Sequence, residues 1–303
     1  MKLNELTNVL VTGLRGHGIE ATPTTNTKNN GVVQHGLTLR RNDERVAPVF
    51  YINQFFERYK NGELSVDDIL SQIIVEYEKL PTPSFPDINE MMSAPDFIDR
   101  ITLRLVNEPA NKSTIECRNL VHHQIAETDL VVLFYATVVS DENSSGSIAI
   151  TEELMKRYLP NVVDGDDLYE KIIHRKSEVV KFESIGSVLE RMMKERLEEI
   201  PQIPFDDDFM FVLTNDSTSY GAGALFTDAA REEILKKFPE GEVTVLPSSV
   251  HETLILKTSE DENIEMLQEM VYSVNRTEVS REEFLSDDVF HYNAKTGKLV
   301  RMF

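Results

Sequence analysis

Val243-Thr244-Val245-Leu246-Pro247-Ser248-Ser249-Val250-His251-Glu252-Thr253-Leu254-Ile255-Leu256 places two apolar, β-branched runs on either side of Pro-Ser-Ser. Runs of this kind, split by turn formers, read as a β-hairpin. Pro247 fits the first central position of the turn, with the hydroxyls of Ser248 and Ser249 bonding nearby backbone. A helical pattern follows over residues 260–274. The same order occurs twice upstream. One copy is the strand-like run 129–135, a polar gap ending at Ser145-Gly146, the short run 148–150 and a helix opened by Thr151. The other is the run 208–213, a polar gap ending at Tyr220-Gly221, a second strand expected at 223–226, and a helix opened by Thr227. Each such unit buries the apolar face of its hairpin beneath its helix. Repeating it predicts an α+β fold, with β-hairpin-plus-helix units forming a mixed or antiparallel sheet covered by helices.

The flanks add to this frame. Helices are expected at 166–176 and 184–199, between the first two copies, and a terminal hairpin pairs 289–292 with 298–302 across a turn at 293–297. At the other end, residues 3–14 read as an amphipathic helix ended by Gly13, Gly16 and Gly18. Residues 22–31 are polar with a turn at Asn29-Asn30-Gly31, and runs 37–40 and 46–52 flank residues 41–45 as a hairpin, Pro48 marking an edge. Helices follow over 53–60 and from Ser65 to about residue 80. Pro81, Pro83 and Pro86 then interrupt the pattern. The expected organisation is a smaller N-terminal α+β lobe (1–80), a Pro-rich linker (81–94) and an α+β domain of hairpin-helix units (95–303).

Composition bounds the function classes. With 303 residues, 41% of them hydrophobic, the chain can fill a sizeable core. A lone cysteine, Cys117, excludes an internal disulfide framework and fits a reducing compartment. No signal-like or membrane-spanning run is present, so a soluble, cytoplasmic protein without membrane association is expected. The net charge is −21, yet the first 60 residues carry 8 Lys/Arg against 5 Asp/Glu, so the acid lies in the rest. It concentrates at 164–167, 195–199, 206–208, 260–269 and 282–288. Such a surface repels nucleic acid directly, and either solvates helix faces or imitates the charge of DNA toward a nucleic-acid-binding partner.

Two polar clusters interrupt apolar strands. The first offers Ser249, His251 and Glu252 as candidate catalytic groups, since strand alternation would set Ser249, His251 and Thr253 on one face. No Gly-x-Ser-x-Gly elbow accompanies them, and a nucleophilic serine needs a base, an orienting acid and an oxyanion site. The second is Asn215-Asp216-Ser217-Thr218-Ser219-Tyr220, ahead of Gly221 and Gly223. Packed side by side, the two clusters could line one pocket, with Asn215, Ser248 and His251 as ligand-binding candidates. His122-His123 near Glu116 and Cys117 lacks metal-ligand spacing, because adjacent histidines point apart. No metal and no cofactor is expected.

Several strings together resemble an uncharacterised Firmicutes family, domain of unknown function 5688. They are Met210-Phe211-Val212-Leu213-Thr214-Asn215 with Gly221-Ala222, Leu246-Pro247-Ser248-Ser249-Val250-His251-Glu252, Val274-Asn275-Arg276-Thr277-Glu278-Val279, and Leu285-Ser286-Asp287-Asp288-Val289-Phe290. Upstream, Val49-Phe50-Tyr51-Ile52, Tyr59-Lys60-Asn61-Gly62 and Leu105-Val106-Asn107 before Asn111 fit the same order. The resemblance implies a bacterial, mobile-element-associated setting and brings no assigned activity, fold or catalytic residue. With no complete catalytic set, the chain reads as a non-enzymatic binding or regulatory protein with a protein partner. The alternative is a hydrolase or small-ligand binder using Asn215 and residues 248–252.

Overall fold

The structure is a computed structural model that describes residues 1–40, 47–80, 87–140, 145–196, 209–258 and 263–303. The chain divides into two compact units, Met1–Ile88 and Asn89–Phe303. The expected hairpin loop at 41–45, the Pro-rich stretch 81–86 and the acidic stretches 197–199, 206–208 and 260–262 lie outside the described residues.

The first unit contains α1 (Leu3–Gly16), β1 (Glu20–Thr27), β2 (Val33–Arg40), β3 (Val49–Tyr51), α2 (Asn53–Lys60) and α3 (Val66–Lys79), with its sheet in the order β1-β2-β3. Leu6, Leu10 and Leu14 of α1 meet Ile69 and Ile73 of α3 in its core. Gly13 does not end α1. A Cβ there would stand 2.7 Å from Leu70 Cδ2, so the missing side chain lets the two helices approach, and α1 runs on to Gly16 before Gly18 takes φ +74°. Much of the polar stretch 22–31 is strand β1, paired with β2 from Glu20↔Arg40 to Thr27↔Val33. Only Ala21 of that strand is buried, so it carries no apolar alternation to read.

The second unit holds two sheets and their helices: α4 (Ile88–Met92), β4 (Ile101–Asn107), α5 (Glu108–Arg118), β5 (His122–Gln124), β6 (Leu130–Ser140), β7 (Ser145–Ala149), α6 (Glu152–Tyr158), α7 (Gly165–Ile173), β8 (Val180–Ser184), α8 (Ile185–Arg196), β9 (Met210–Asn215), α9 (Asp228–Lys237), β10 (Glu242–Ser249), β11 (Glu252–Lys257), α10 (Ile264–Thr277), β12 (Phe290–Asn293) and β13 (Lys298–Arg301). In the smaller sheet β6 pairs with β4 on one edge and with β5 and β7 on the other; the larger runs β13-β12-β10-β11-β9-β8. Among the described residues every strand pairing is antiparallel, so of the two sheet types expected the antiparallel one holds within an α+β fold.

The first and third expected units are present, as β6-β7-α6 and β10-β11-α10, with Thr151 and Asn263 capping their helices. The second is not. Residues 223–226 form no strand but belong to a 3-10 segment, Gly221–Phe226. Both edges of β9 are already filled, by β8 and β11, so a hairpin partner has no edge to join. The segment instead runs between the sheets. A Cβ on Gly223 would lie 2.8 Å from the Leu103 carbonyl oxygen of β4, and one on Gly221 would lie 2.7 Å from that of His251. Only glycine permits both approaches.

Candidate functional site

The β10–β11 hairpin does not turn at Pro-Ser-Ser. Leu246 pairs with Leu254, the register then shifts, and Ser249 pairs with Glu252, so the reversal falls on Val250-His251. Pro247 has no N–H for the ladder, and this places the irregularity inside β10 rather than at its end. Ser249 Oγ accepts from the backbone N–H of His251 (3.1 Å), closing a local turn without meeting the imidazole. Ser248 and Glu252 are half-buried at the two strand ends. Because His251 sits in the turn, it does not share a strand face with Ser249 and Thr253.

His251 and Asn215 meet at the loop 215–220. Asn215 Oδ1 accepts from Ser217 Oγ (3.0 Å) and Ser219 N (3.3 Å), while its Nδ2 donates to the Ser219 carbonyl (2.9 Å). From the other side, His251 Nδ1 accepts the backbone N–H of Tyr220 (3.1 Å), and the His251 carbonyl accepts from Gly221 N (3.0 Å) and Thr214 Oγ1 (2.7 Å). Thr218 and Tyr220 hold left-handed backbone (φ 54° and 50°), a conformation that a dense local network has to stabilise. With Nδ1 accepting, the neutral ring carries its proton on Nε2, which faces Glu283 Oε1 at 3.6 Å. These side chains therefore hold a loop, and in this tautomer Nε2 is a donor rather than a base.

The loop brings Tyr220 onto a residue that the sequence reading did not single out. Arg104 of β4 lies with its guanidinium carbon 3.8 Å from the ring centre of Tyr135 and 4.0 Å from that of Tyr220, and its Nη2 donates to Ser147 Oγ at 2.5 Å. Burial lowers its pKa from the ordinary arginine value. The signal in the sequence was one cation inside Ile101-Thr102-Leu103-Arg104-Leu105, an otherwise apolar strand in a strongly acidic chain.

A second group missed from the sequence surrounds Asp129. Its carboxylate accepts from Ser286 Oγ (2.9 and 3.0 Å) and Asn107 Nδ2 (2.8 Å), and Asn107 Nδ2 also donates to the Leu285 carbonyl. Asn275 Nδ2 donates to the Ser286 carbonyl and to Asp287 Oδ1, and Arg276 pairs with Asp287 at 2.8 Å. Burial pushes the Asp129 carboxyl above the usual carboxylate range, against the opposing pull of the Ser286 and Asn107 hydrogen bonds.

The remaining candidates are quickly placed. His122 Nδ1 meets the Leu120 carbonyl, whereas His123 Nδ1 meets Asp166 and its ring stacks on Tyr169 at 3.8 Å. Among the described residues no group of three or more His, Cys, Asp or Glu side chains is placed to hold a metal ion. Among them, too, no helix is long and apolar enough to cross a membrane. On α10, Leu267, Val271 and Asn275 point inward, but Met266, Met270 and Val274 form an adjoining stripe that is 60%, 42% and 42% exposed. Glu265 and Glu269 flank that stripe on the outer face.

A profile of the family of unknown function DUF5688 matches residues 3–294. The chain belongs to this family. Searches of curated proteins and of solved structures returned no match. The strings that carry the DUF5688 resemblance are far apart in sequence yet meet in this geometry. Thr214, Asn215, Gly221 and His251 close the loop, while Asn107, Asn275, Ser286 and Asp287 converge around Asp129.

Proposed function

We propose that this DUF5688 chain is a cytoplasmic, non-enzymatic binding protein whose α10 face takes a cationic amphipathic segment of a protein partner. The observation that carries the reading is the exposed stripe Met266, Met270 and Val274 bordered by Glu265 and Glu269. Methionine is soft and unbranched, so a row of it adapts to differing apolar side chains. Carboxylates beside the row favour lysine or arginine on the incoming segment and raise its encounter rate. The hydrogen bonds of Asn215 and His251 agree with this reading, since they tie one loop together rather than converging on an open space. A mobile-element setting for the partner comes from the family resemblance alone.

The test is titration of a helical Leu/Lys amphipathic peptide into the full chain, with a charge-matched scrambled peptide beside it. The amphipathic peptide should bind better than the scrambled one, and Met266→Gln/Met270→Gln should weaken it by about tenfold, since roughly 1.4 kcal/mol of apolar contact is removed. Equal binding of the two peptides, or unchanged binding to the double variant, would mean attraction by charge alone and would end this reading.

A further inference from the structure

Side chains alternate along β4, so Leu103 and Leu105 face one way while Arg104 shares the side of Val106. That side carries an apolar cluster of Val106, Ile115, Leu120, Val131, Leu133 and Ala149, with Tyr135 packed against it. Arg104 lies directly across from Leu133, at the border of this cluster. A guanidinium in such a place is costly unless a counter-charge meets it. In a chain of net charge −21, no described carboxylate forms an ion pair with it. Its described contacts are the two tyrosine rings and one hydroxyl, and it keeps further N–H donors beyond the one that Ser147 takes.

We propose that Arg104, walled by Tyr135 and Tyr220 and set beside Ser147, is a binding site for the carboxylate group of a small ligand. The proposal is independent of the α10 reading. A guanidinium edge presents two parallel N–H groups that match two coplanar oxygens. The ring faces of Tyr135 and Tyr220, about 4 Å from the guanidinium carbon, carry negative π density, which repels an oxyanion brought close to them. A planar carboxylate keeps both oxygens in the guanidinium plane. A tetrahedral phosphate cannot, because its remaining oxygens project toward the rings. Desolvation by the same rings strengthens the charge-assisted hydrogen bonds that form. The 215–220 loop then gains a role: by holding Tyr220 through His251 and Asn215, it fixes one wall of the site.

The experiment follows the side-chain Nε–H signal of Arg104 in arginine-15N-labelled full chain during titration with sodium acetate, sodium phosphate or sodium chloride at constant ionic strength. The signal is assigned by its absence from Arg104→Lys and by its displacement in Tyr135→Leu, which loses a ring current but keeps an apolar side chain. Acetate should shift it saturably, phosphate more weakly, and chloride in no saturable way. Tyr135→Leu should narrow the preference for acetate over phosphate. A shift that follows ionic strength alike for all three salts would overturn the proposal, as would tighter saturation by phosphate or an unchanged preference in Tyr135→Leu.

Discussion

Gly221→Ala tests a tightly constrained point in the second unit. The new Cβ would stand 2.1 Å from Thr214 Oγ1, 2.6 Å from Asn215 N and 2.7 Å from the His251 carbonyl oxygen. Two of these three atoms are backbone, so no side-chain rotation relieves the overlap, and the segment would have to retreat by roughly 1 Å to reach ordinary contact. That retreat stretches the bonds from Gly221 N and Ala222 N to the His251 and Val250 carbonyls, and displaces the Thr214 hydroxyl from His251. Overpacking costs about 1–3 kcal/mol and each of the three buried bonds, if lost, about 1 kcal/mol more, giving a destabilisation of roughly 4–6 kcal/mol. Urea unfolding followed by circular dichroism and tyrosine fluorescence measures it as a lowered midpoint at constant slope. Thr214→Ala in the same chain removes the nearest atom and should restore part of the loss, never all, because the two backbone contacts persist. Gly16→Ala, where a Cβ meets nothing within 4 Å, is the control and should not destabilise. A Gly221→Ala midpoint within about 0.5 kcal/mol of the parent would refute the close-approach reasoning.

Two pH dependences follow. Burial raises the folded-state pKa of Asp129 above its unfolded value, so its contribution to stability is fully present below about pH 3.9 and is lost as pH rises through the folded value. Asp129→Asn removes this titration, and urea midpoints should fall in the parent relative to the variant as pH rises above about 4. A constant difference would show that Asp129 is not desolvated. His174, at the end of α7, has its pKa raised by its hydrogen bond to Asp228 at 2.8 Å, at the start of α9. This stabilises below about pH 6.5 and fades as pH rises through the folded value, by only a few tenths of a kcal/mol for so exposed a pair. His174→Gln should erase that melting-temperature trend, and a trend that survives the substitution locates it elsewhere.

The sequence was legible where chemistry is local. Thr151 and Ser65 open helices as their type and spacing indicate, and the hairpins β6-β7, β10-β11 and β12-β13 form from adjacent apolar runs. It misled where a distant partner decides. Gly-Ala-Gly-Ala-Leu-Phe has the composition of a short strand, but β8 and β11 already fill the edges it would need. β8 itself, Val-Lys-Phe-Glu-Ser, falls between two helical patterns and becomes a strand only through β9. The same limit applies to the sites. His251 and Asn215 were visible as polar residues among apolar ones, and the loop they share could be guessed from spacing. Arg104 and Asp129 could not be valued so, because their meaning lies in Tyr220 and Ser286, which the fold delivers from far along the chain.

The strand order of the larger sheet also sets a sequence of events during synthesis. β10 is flanked by β11, made directly after it, and by β12, which follows only after the whole of α10. Until Phe290–Asn293 leaves the ribosome, the β12-side edge of β10, with Val243 and Val245, offers unpaired backbone to any neighbouring nascent chain. α10 can cover a face of the new hairpin, though not that edge. A translational pause between residues 258 and 289 would therefore expose the chain to aggregation, and faster passage through that stretch would protect it.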